Sequence, residues 1–217
     1  MMRSVKVTIS GEGPALEACI DLPESPNLCS GLVLCHPHPL YGGDMDNNVV
    51  AEVGRAVVLG GMAVLRFNFR GVGRSEGYFA DGEGEQEDAM SALRFLSAYE
   101  GIDPSRIGIA GYSFGGMIAM KAGEKSDIVK AIAAVSPVMN PGALVDCIKP
   151  KFIVCGSKDM VIPQEIILGG AAVMPDPKRI EVIKGVDHFW WGYERKLGDM
   201  VAEFFVEALG ENKTVIS

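Results

Sequence analysis

Short, continuously apolar segments alternate with segments of helix length from residue 31 onward, and this alternation restricts the chain to few architectures. A strand that is covered on both faces is apolar along its whole length, whereas a half-exposed strand alternates with polar residues. Such strands, separated by helices, are typical of an α/β fold with a doubly wound, mostly parallel sheet and helices on both faces. The predicted strands are Gly31–Cys35, Ala63–Phe69, Arg106–Ala110, Ala131–Val135, Phe152–Cys155 and Arg179–Ile183.

The segment before residue 31 predicts a hairpin, because Val5–Ile9 and Leu16–Leu22 flank a Gly-Glu-Gly-Pro turn. Its two strands would extend the sheet to eight strands, with an antiparallel edge. The predicted helices are Asn47–Leu59, with Asp46 as N-cap, and Glu85–Tyr99, Gly115–Glu124, Pro163–Val173 and Trp191–Leu209. We expect one domain over residues 1–217, with a frayed tail at 210–217.

Charge and composition exclude several classes of partner. A net charge of −8 disfavours binding to nucleic acid and to anionic membrane surfaces. The apolar runs are much shorter than the roughly 20 residues of a membrane-spanning helix, and the N-terminus has no apolar signal region. The five cysteines form no CxxC pair and are expected to be buried thiols. These features favour a cytoplasmic protein with a small-molecule substrate, and they leave a homodimer open.

The segment Gly111-Tyr112-Ser113-Phe114-Gly115 joins a predicted strand to a predicted helix. Glycines allow the backbone to turn sharply and pass close to its neighbours, so that the serine side chain projects from the turn. The free N–H groups of the following helix face a developing oxyanion. The pattern predicts Ser113 as a nucleophile and the main-chain N–H of Phe114 as one oxyanion donor.

A serine hydroxyl becomes a useful nucleophile only when a base accepts its proton. When the nucleophile lies on such a turn, the acid and then the histidine follow it along the chain. Of the three histidines in the sequence, only His188 comes after Ser113. Asp159, which comes just after the Phe152–Cys155 strand, is the predicted acid; it would alternatively be only a helix cap. Asp187 is the rival, although neighbouring residues align carboxylate and imidazole poorly.

The loop after Gly31–Cys35 is expected to supply the second oxyanion donor. This loop reads His-Pro-His-Pro-Leu-Tyr-Gly-Gly over residues 36–43. Because Pro37 and Pro39 have no N–H, His38 is the first candidate and Leu40 the second.

The chain resembles the α/β-hydrolase superfamily, and within it a group of compact bacterial proteins identified as hydrolases or esterases. The resemblance spans nearly the whole chain and rests on the motifs at 36–43, 46–48, 66–77, 111–116, 156–159 and 187–189. It implies a Ser-Asp-His triad, no cofactor and no metal. Two positions of the 66–77 segment, Asn68 and Arg70, are interpreted as scaffold residues. A His-Pro pair replaces the family's usual His-Gly, which leaves the second oxyanion donor open.

The segment between Val138 and Phe152, the usual place for a lid in this fold, is too short for a cap domain. An open site favours carboxylic esters or thioesters with short or medium acyl groups; amides and lactones are alternatives. Four aromatic residues are equally compatible with the pocket or the core: Tyr41, Phe79, Trp190 and Trp191.

Competing interpretations are weaker. A zinc site would need His36, His38 and His188 as ligands, yet the intervening prolines fit poorly with a regular strand. The dinucleotide-binding spacing of glycines is absent from the sequence. A non-catalytic binding protein on the same fold remains an alternative.

Overall fold

The computed structural model describes residues 3–24 and 28–210. Eight strands form one sheet in the order β1-β2-β4-β3-β5-β6-β7-β8. The pairs β1–β2 and β2–β4 are antiparallel, and all others are parallel. The predicted eight-stranded, mostly parallel sheet with an antiparallel edge is therefore confirmed. The strands are β1 Arg3–Ile9, β2 Leu16–Leu22, β3 Cys29–Cys35, β4 Ala63–Phe67, β5 Ile102–Tyr112, β6 Val129–Val135, β7 Lys151–Gly156 and β8 Lys178–Ile183.

Helices cover both faces of the sheet, as predicted. They are α1 Asn48–Leu59, α2 Glu83–Ser97, α3 Phe114–Lys125, α4 Gln164–Ala172 and α5 Glu194–Leu209. Buried side chains of α1 and α5 pack on one face, and those of α2, α3 and α4 pack on the other. Within the described ranges, no helix has both the length and the apolar character needed to cross a bilayer.

All five helices start one to three residues from the predicted positions, and two of these differences have an identifiable reason. Asp46 is not the N-cap of α1: the side chain of Asn47 accepts the Val49 N–H at 3.0 Å, while Asp46 pairs with Arg66 at 2.8 Å. Helix α5 starts at Glu194 rather than Trp191. The preceding turn includes Trp190 with φ 60°, a left-handed conformation that a right-handed helix cannot continue.

The connection between β6 and β7 contains neither helix nor strand. It follows the carboxyl end of β6, on the sheet edge where β5 and β7 also end. No cap domain therefore covers this edge in the described part of the chain. All five cysteines are buried free thiols, and the predicted frayed tail lies outside the described residues except for Gly210.

Candidate active site

Ser113 lies on the sharp turn between β5 and α3, with φ 57° and ψ −117°. This strained conformation depends on the two flanking glycines. A Cβ at Gly111 would lie 2.0 Å from the Gly115 carbonyl oxygen, and one at Gly115 would lie 2.3 Å from the carbonyl oxygens of Cys35 and His36. Only glycine permits this close approach, so the local sequence fixes where the hydroxyl emerges.

The predicted side chains of Ser113, His188 and Asp159 form a chain of hydrogen bonds at the carboxyl edge of the sheet. Nε2 of His188 is 3.1 Å from Oγ of Ser113, and Nδ1 of His188 is 2.8 Å from Oδ2 of Asp159. Asp159 follows β7 and His188 follows β8, so the contacts span 75 and 29 residues of sequence. All three residues are buried. The arrangement suits proton transfer from hydroxyl to imidazole, with the carboxylate fixing the ring tautomer.

The environment of Asp159 favours its ionised form. Burial raises the pKa of this carboxyl, but the hydrogen bonds from His188 and the Ile162 N–H outweigh that effect and leave the pKa below its usual value. Oδ1 accepts the N–H groups of Val161 and Ile162 at 3.0 and 2.8 Å. Asp159 therefore caps a turn and holds His188 at the same time.

The rival carboxylate, Asp187, is occupied elsewhere. Its Oδ1 accepts the N–H groups of Phe189 and Trp190 at 3.0 and 3.1 Å. It thus stabilises the turn that carries His188 rather than contacting the imidazole.

Of the two predicted oxyanion donors, Phe114 directly follows Ser113 in the chain. Within the described residues, no acceptor bonds the main-chain N–H of Phe114 or His38. His38 and Ser113 line the same cleft. The N–H of Leu40 donates to Nδ1 of the His38 ring at 3.2 Å, so Leu40 is not a free second donor.

His36 is fully buried beneath this loop, and both its ring nitrogens are occupied. Nε2 accepts the Phe69 N–H at 3.0 Å, and Nδ1 lies 2.6 Å from the Pro37 carbonyl oxygen, to which its proton is donated. The ring thus ties the His38 loop to the end of β4. His36 has no lone pair left for zinc, and the described residues contain no metal-binding group of three or more His, Cys, Asp or Glu.

Burial lowers the pKa of His36 to about 4, from 6.5. The unfolded chain therefore binds more protons between these values, and stability falls as pH drops through that window. At 1.36 kcal/mol per pKa unit, this difference corresponds to about 3 kcal/mol of unfolding free energy. We expect His36→Gln to show a smaller loss of stability between pH 7 and pH 4 than the wild type in urea titrations.

The matched control for this prediction is Cys35→Ser, which changes the neighbouring, equally buried side chain; burial raises the pKa of the Cys35 thiol, so it does not titrate in this window. It should retain the wild-type pH dependence of stability. An unaltered pH dependence in His36→Gln would contradict the assignment of the acid-sensitive group.

A cleft of about 280 Å³ opens above Ser113 and His188. Its described lining contains no Asp, Glu, Lys or Arg. Tyr41, Val161 and Phe189 form exposed apolar walls. Of the other aromatic residues considered from sequence, Trp190 is fully buried in the core, whereas Trp191 is exposed. Phe79 packs against the His38 ring at a centroid distance of 4.9 Å.

The two residues interpreted as scaffold make structural contacts. The side chain of Asn68 accepts the Met45 N–H and donates to Glu17, each at 2.9 Å. Arg70 pairs with Asp88 at 2.8 Å. Asn68 thus connects the segment after β4 to β2 and to Met45, and Arg70 connects that segment to α2.

Two polar residues near the site were not singled out by sequence reasoning. Tyr112 donates its hydroxyl to the His188 carbonyl at 2.7 Å and so holds the histidine loop. Ser136 follows β6 and is fully buried. The position of Ser136 in the sequence could have pointed to the site, because a polar residue directly after an apolar strand lies on the same sheet edge as the residues that follow the neighbouring parallel strands.

The strand order, the helices on both faces and a nucleophile turn after β5 define an α/β-hydrolase fold. A model of the prolyl oligopeptidase family matches residues 43–146. An α/β serine hydrolase homologue from Coxiella burnetii is 32% identical, with a TM-score of 0.83 over 92% of this chain and 96% of that one. Protein RP471 of Rickettsia prowazekii is 36% identical over 76% of this chain and 74% of its own length.

A lidless α/β serine hydrolase from Xanthomonas campestris is 25% identical, with a TM-score of 0.85 over 96% of each chain. The chain belongs to the α/β-hydrolase family. The uncovered sheet edge of this chain agrees with that assignment.

Proposed function

We propose that the protein is a serine hydrolase that cleaves carboxylic esters or thioesters through an acyl-Ser113 intermediate. The observation that carries the proposal is the series Ser113 Oγ, His188 Nε2, His188 Nδ1 and Asp159 Oδ2, with contacts of 3.1 and 2.8 Å. A buried series of this kind has a direct use in proton transfer, which a binding module would not require.

In the proposed reaction, Ser113 Oγ attacks the carbonyl carbon while its proton passes to Nε2 of His188. The N–H groups of Phe114 and His38 stabilise the tetrahedral oxyanion. The imidazolium then protonates the leaving alcohol or thiol, and the acyl group remains on Ser113. Water, deprotonated by His188, attacks that ester; the carboxylic acid leaves, and His188 returns the proton to Ser113 Oγ. The chemistry needs no cofactor or metal.

The cleft supports a small-molecule substrate with an uncharged acyl group of short or medium length. Without a charged lining residue, an ionised acyl chain would lose its hydration without gaining a partner. The volume of about 280 Å³ and the uncovered edge provide little enclosure for a long chain. Val161 and Phe189 provide the apolar contacts.

We expect the protein to hydrolyse p-nitrophenyl esters of two to eight carbons with a higher kcat/KM than those of twelve or more. A fluorophosphonate should abolish this activity by labelling Ser113, identified by peptide mass spectrometry. Matched thioester, anilide and lactone substrates would define the bond cleaved. A preference for long chains, or labelling elsewhere with activity intact, would contradict the proposal.

Tyr41→Ala provides a second arm of this experiment, because the ring forms an exposed wall of the cleft. Loss of an aromatic contact should raise KM about twofold to tenfold. Tyr78→Ala, equally exposed but outside the cleft lining, is the matched control and should leave KM unchanged.

A further inference from the structure

Tyr112 is the last residue of β5 and directly precedes Ser113. Its side chain is buried, and its hydroxyl donates to the main-chain carbonyl oxygen of His188 at 2.7 Å. This bond joins two residues that are 76 positions apart in the sequence. It therefore connects the strand that leads to the nucleophile directly to the loop that carries the base.

His188 lies in the connection between β8 and α5, residues 184–193, which contains neither helix nor strand. In the described part of the chain, the Tyr112 hydroxyl is the one hydrogen-bond partner of the His188 main chain. A buried carbonyl oxygen needs such a partner, and a side chain of β5 supplies it here. The position of the His188 main chain is therefore set from the nucleophile strand.

The ring of Tyr112 also contacts the imidazole of His188. The two ring centroids lie 5.4 Å apart, with an angle of 36° between the ring planes. Burial raises the pKa of the Tyr112 hydroxyl, so the phenol stays protonated and remains a donor over the working pH range. One side chain thus restrains both the main chain and the ring of the histidine.

We propose that Tyr112 is a positioning residue whose hydroxyl sets the distance between Nε2 of His188 and Oγ of Ser113. This inference rests on the proposed function. Proton transfer requires these two atoms within hydrogen-bond reach, and their separation of 3.1 Å leaves little margin. Tyr112 acts through the histidine, because its hydroxyl proton is already engaged by the His188 carbonyl.

The rest of the histidine loop has anchors of its own, which limits the expected effect. Nε1 of Trp190 donates to Oγ of Ser136 at 3.2 Å. Asp187 accepts two main-chain N–H groups of the turn. The loop should therefore stay folded without the Tyr112 hydroxyl, while His188 would lose its tie to β5 and become less precisely placed.

The test uses Tyr112→Phe, which removes the hydroxyl and keeps the ring that lines the cleft. We expect kcat to fall about tenfold to a hundredfold, because a misplacement of about 1 Å can cost about a hundredfold in rate. KM should change less than about twofold, since the lost contact does not bind substrate. Labelling of Ser113 by a fluorophosphonate should slow by a similar factor to kcat, because it uses the same base.

A conservative variant tests whether the donor itself matters. Tyr112→p-aminophenylalanine, introduced by amber suppression, restores an N–H donor at the para position of the ring. It should recover most of the lost kcat. Proton NMR of the substrate-free protein gives a further readout: the far-downfield resonance of the His188 Nδ1 proton should shift in Tyr112→Phe and return toward its wild-type position in the rescued variant.

Two control variants separate positioning from general stability. Tyr99→Phe makes the same chemical change in a half-buried tyrosine that packs against Phe95, outside the cleft lining. Ser126→Ala removes a buried hydrogen bond of 3.3 Å from the Ile128 N–H, also outside the cleft lining. Both variants should keep the wild-type kcat, labelling rate and resonance.

Wild-type kcat and labelling rate in folded Tyr112→Phe would overturn this inference. Equal losses in both Tyr112 variants would also overturn it, because the donor would then have no role. If Ser113→Ala abolishes activity in the same assays, the proposed function would still stand. Retained activity in Ser113→Ala would instead overturn the proposed function, whatever Tyr112 does.

Discussion

Replacement of Ser113 by alanine is expected to lower kcat by about 10⁶-fold, the loss measured when the nucleophile of a catalytic triad is removed. Alanine keeps the Cβ and hence the same backbone strain at φ 57°. The change therefore removes the nucleophilic oxygen with little effect on the turn. Steady-state turnover of a short p-nitrophenyl ester measures the effect, and thermal unfolding confirms that the variant is folded.

A small rate above that of the uncatalysed reaction in water should persist, because the proposed oxyanion donors, the N–H groups of Phe114 and His38, are unchanged in this variant. Fluorophosphonate labelling should disappear together with turnover. Turnover equal to that of the wild type would falsify the assignment of Ser113.

Asp159→Asn is expected to reduce kcat about 10⁴-fold, by analogy with the same change in a catalytic triad. The structure supplies a specific reason. The N–H groups of Val161 and Ile162 hold Oδ1 at 3.0 and 2.8 Å, so the amide oxygen of asparagine would remain there. Its NH₂ group would face Nδ1 of His188, which selects the tautomer whose Nε2–H cannot accept the Ser113 proton.

The matched variant is Asp187→Asn. Asp187 lies next to His188, but among the described residues its carboxylate accepts hydrogen bonds only from the N–H groups of Phe189 and Trp190, and an amide oxygen can accept both bonds. We expect activity within a few-fold of the wild type, a change typical of contacts away from the reacting groups. Full activity of Asp159→Asn combined with inactive Asp187→Asn would reverse the assignment.

The sheet and the nucleophile turn could be predicted because their signals are local. A strand segment covered on both faces must be apolar, as Ile107–Ala110 of β5 and Phe152–Cys155 of β7 are. Gly111 and Gly115 reveal close backbone contacts without any knowledge of the partner. Asp159 and His188 could be singled out because parallel strands end at a common edge.

Contacts made across the fold could not be predicted in the same way. Trp190 follows a histidine expected in the site, yet a left-handed turn directs its side chain into the core. Asn47 and Asp46 are both good caps by residue type; the pairing of Asp46 with Arg66 is a tertiary contact. The role of the His36 ring likewise depends on the distant Phe69 N–H.

The connection between β6 and β7 has a consequence for how selectivity could diversify. Its turn at Pro141 and Gly142 is exposed and carries no sheet pairing. Extra residues inserted there would lengthen a surface turn while every strand kept its register. An extension long enough to reach the cleft could change the acyl preference without displacing the groups that move the proton, because these belong to other connections.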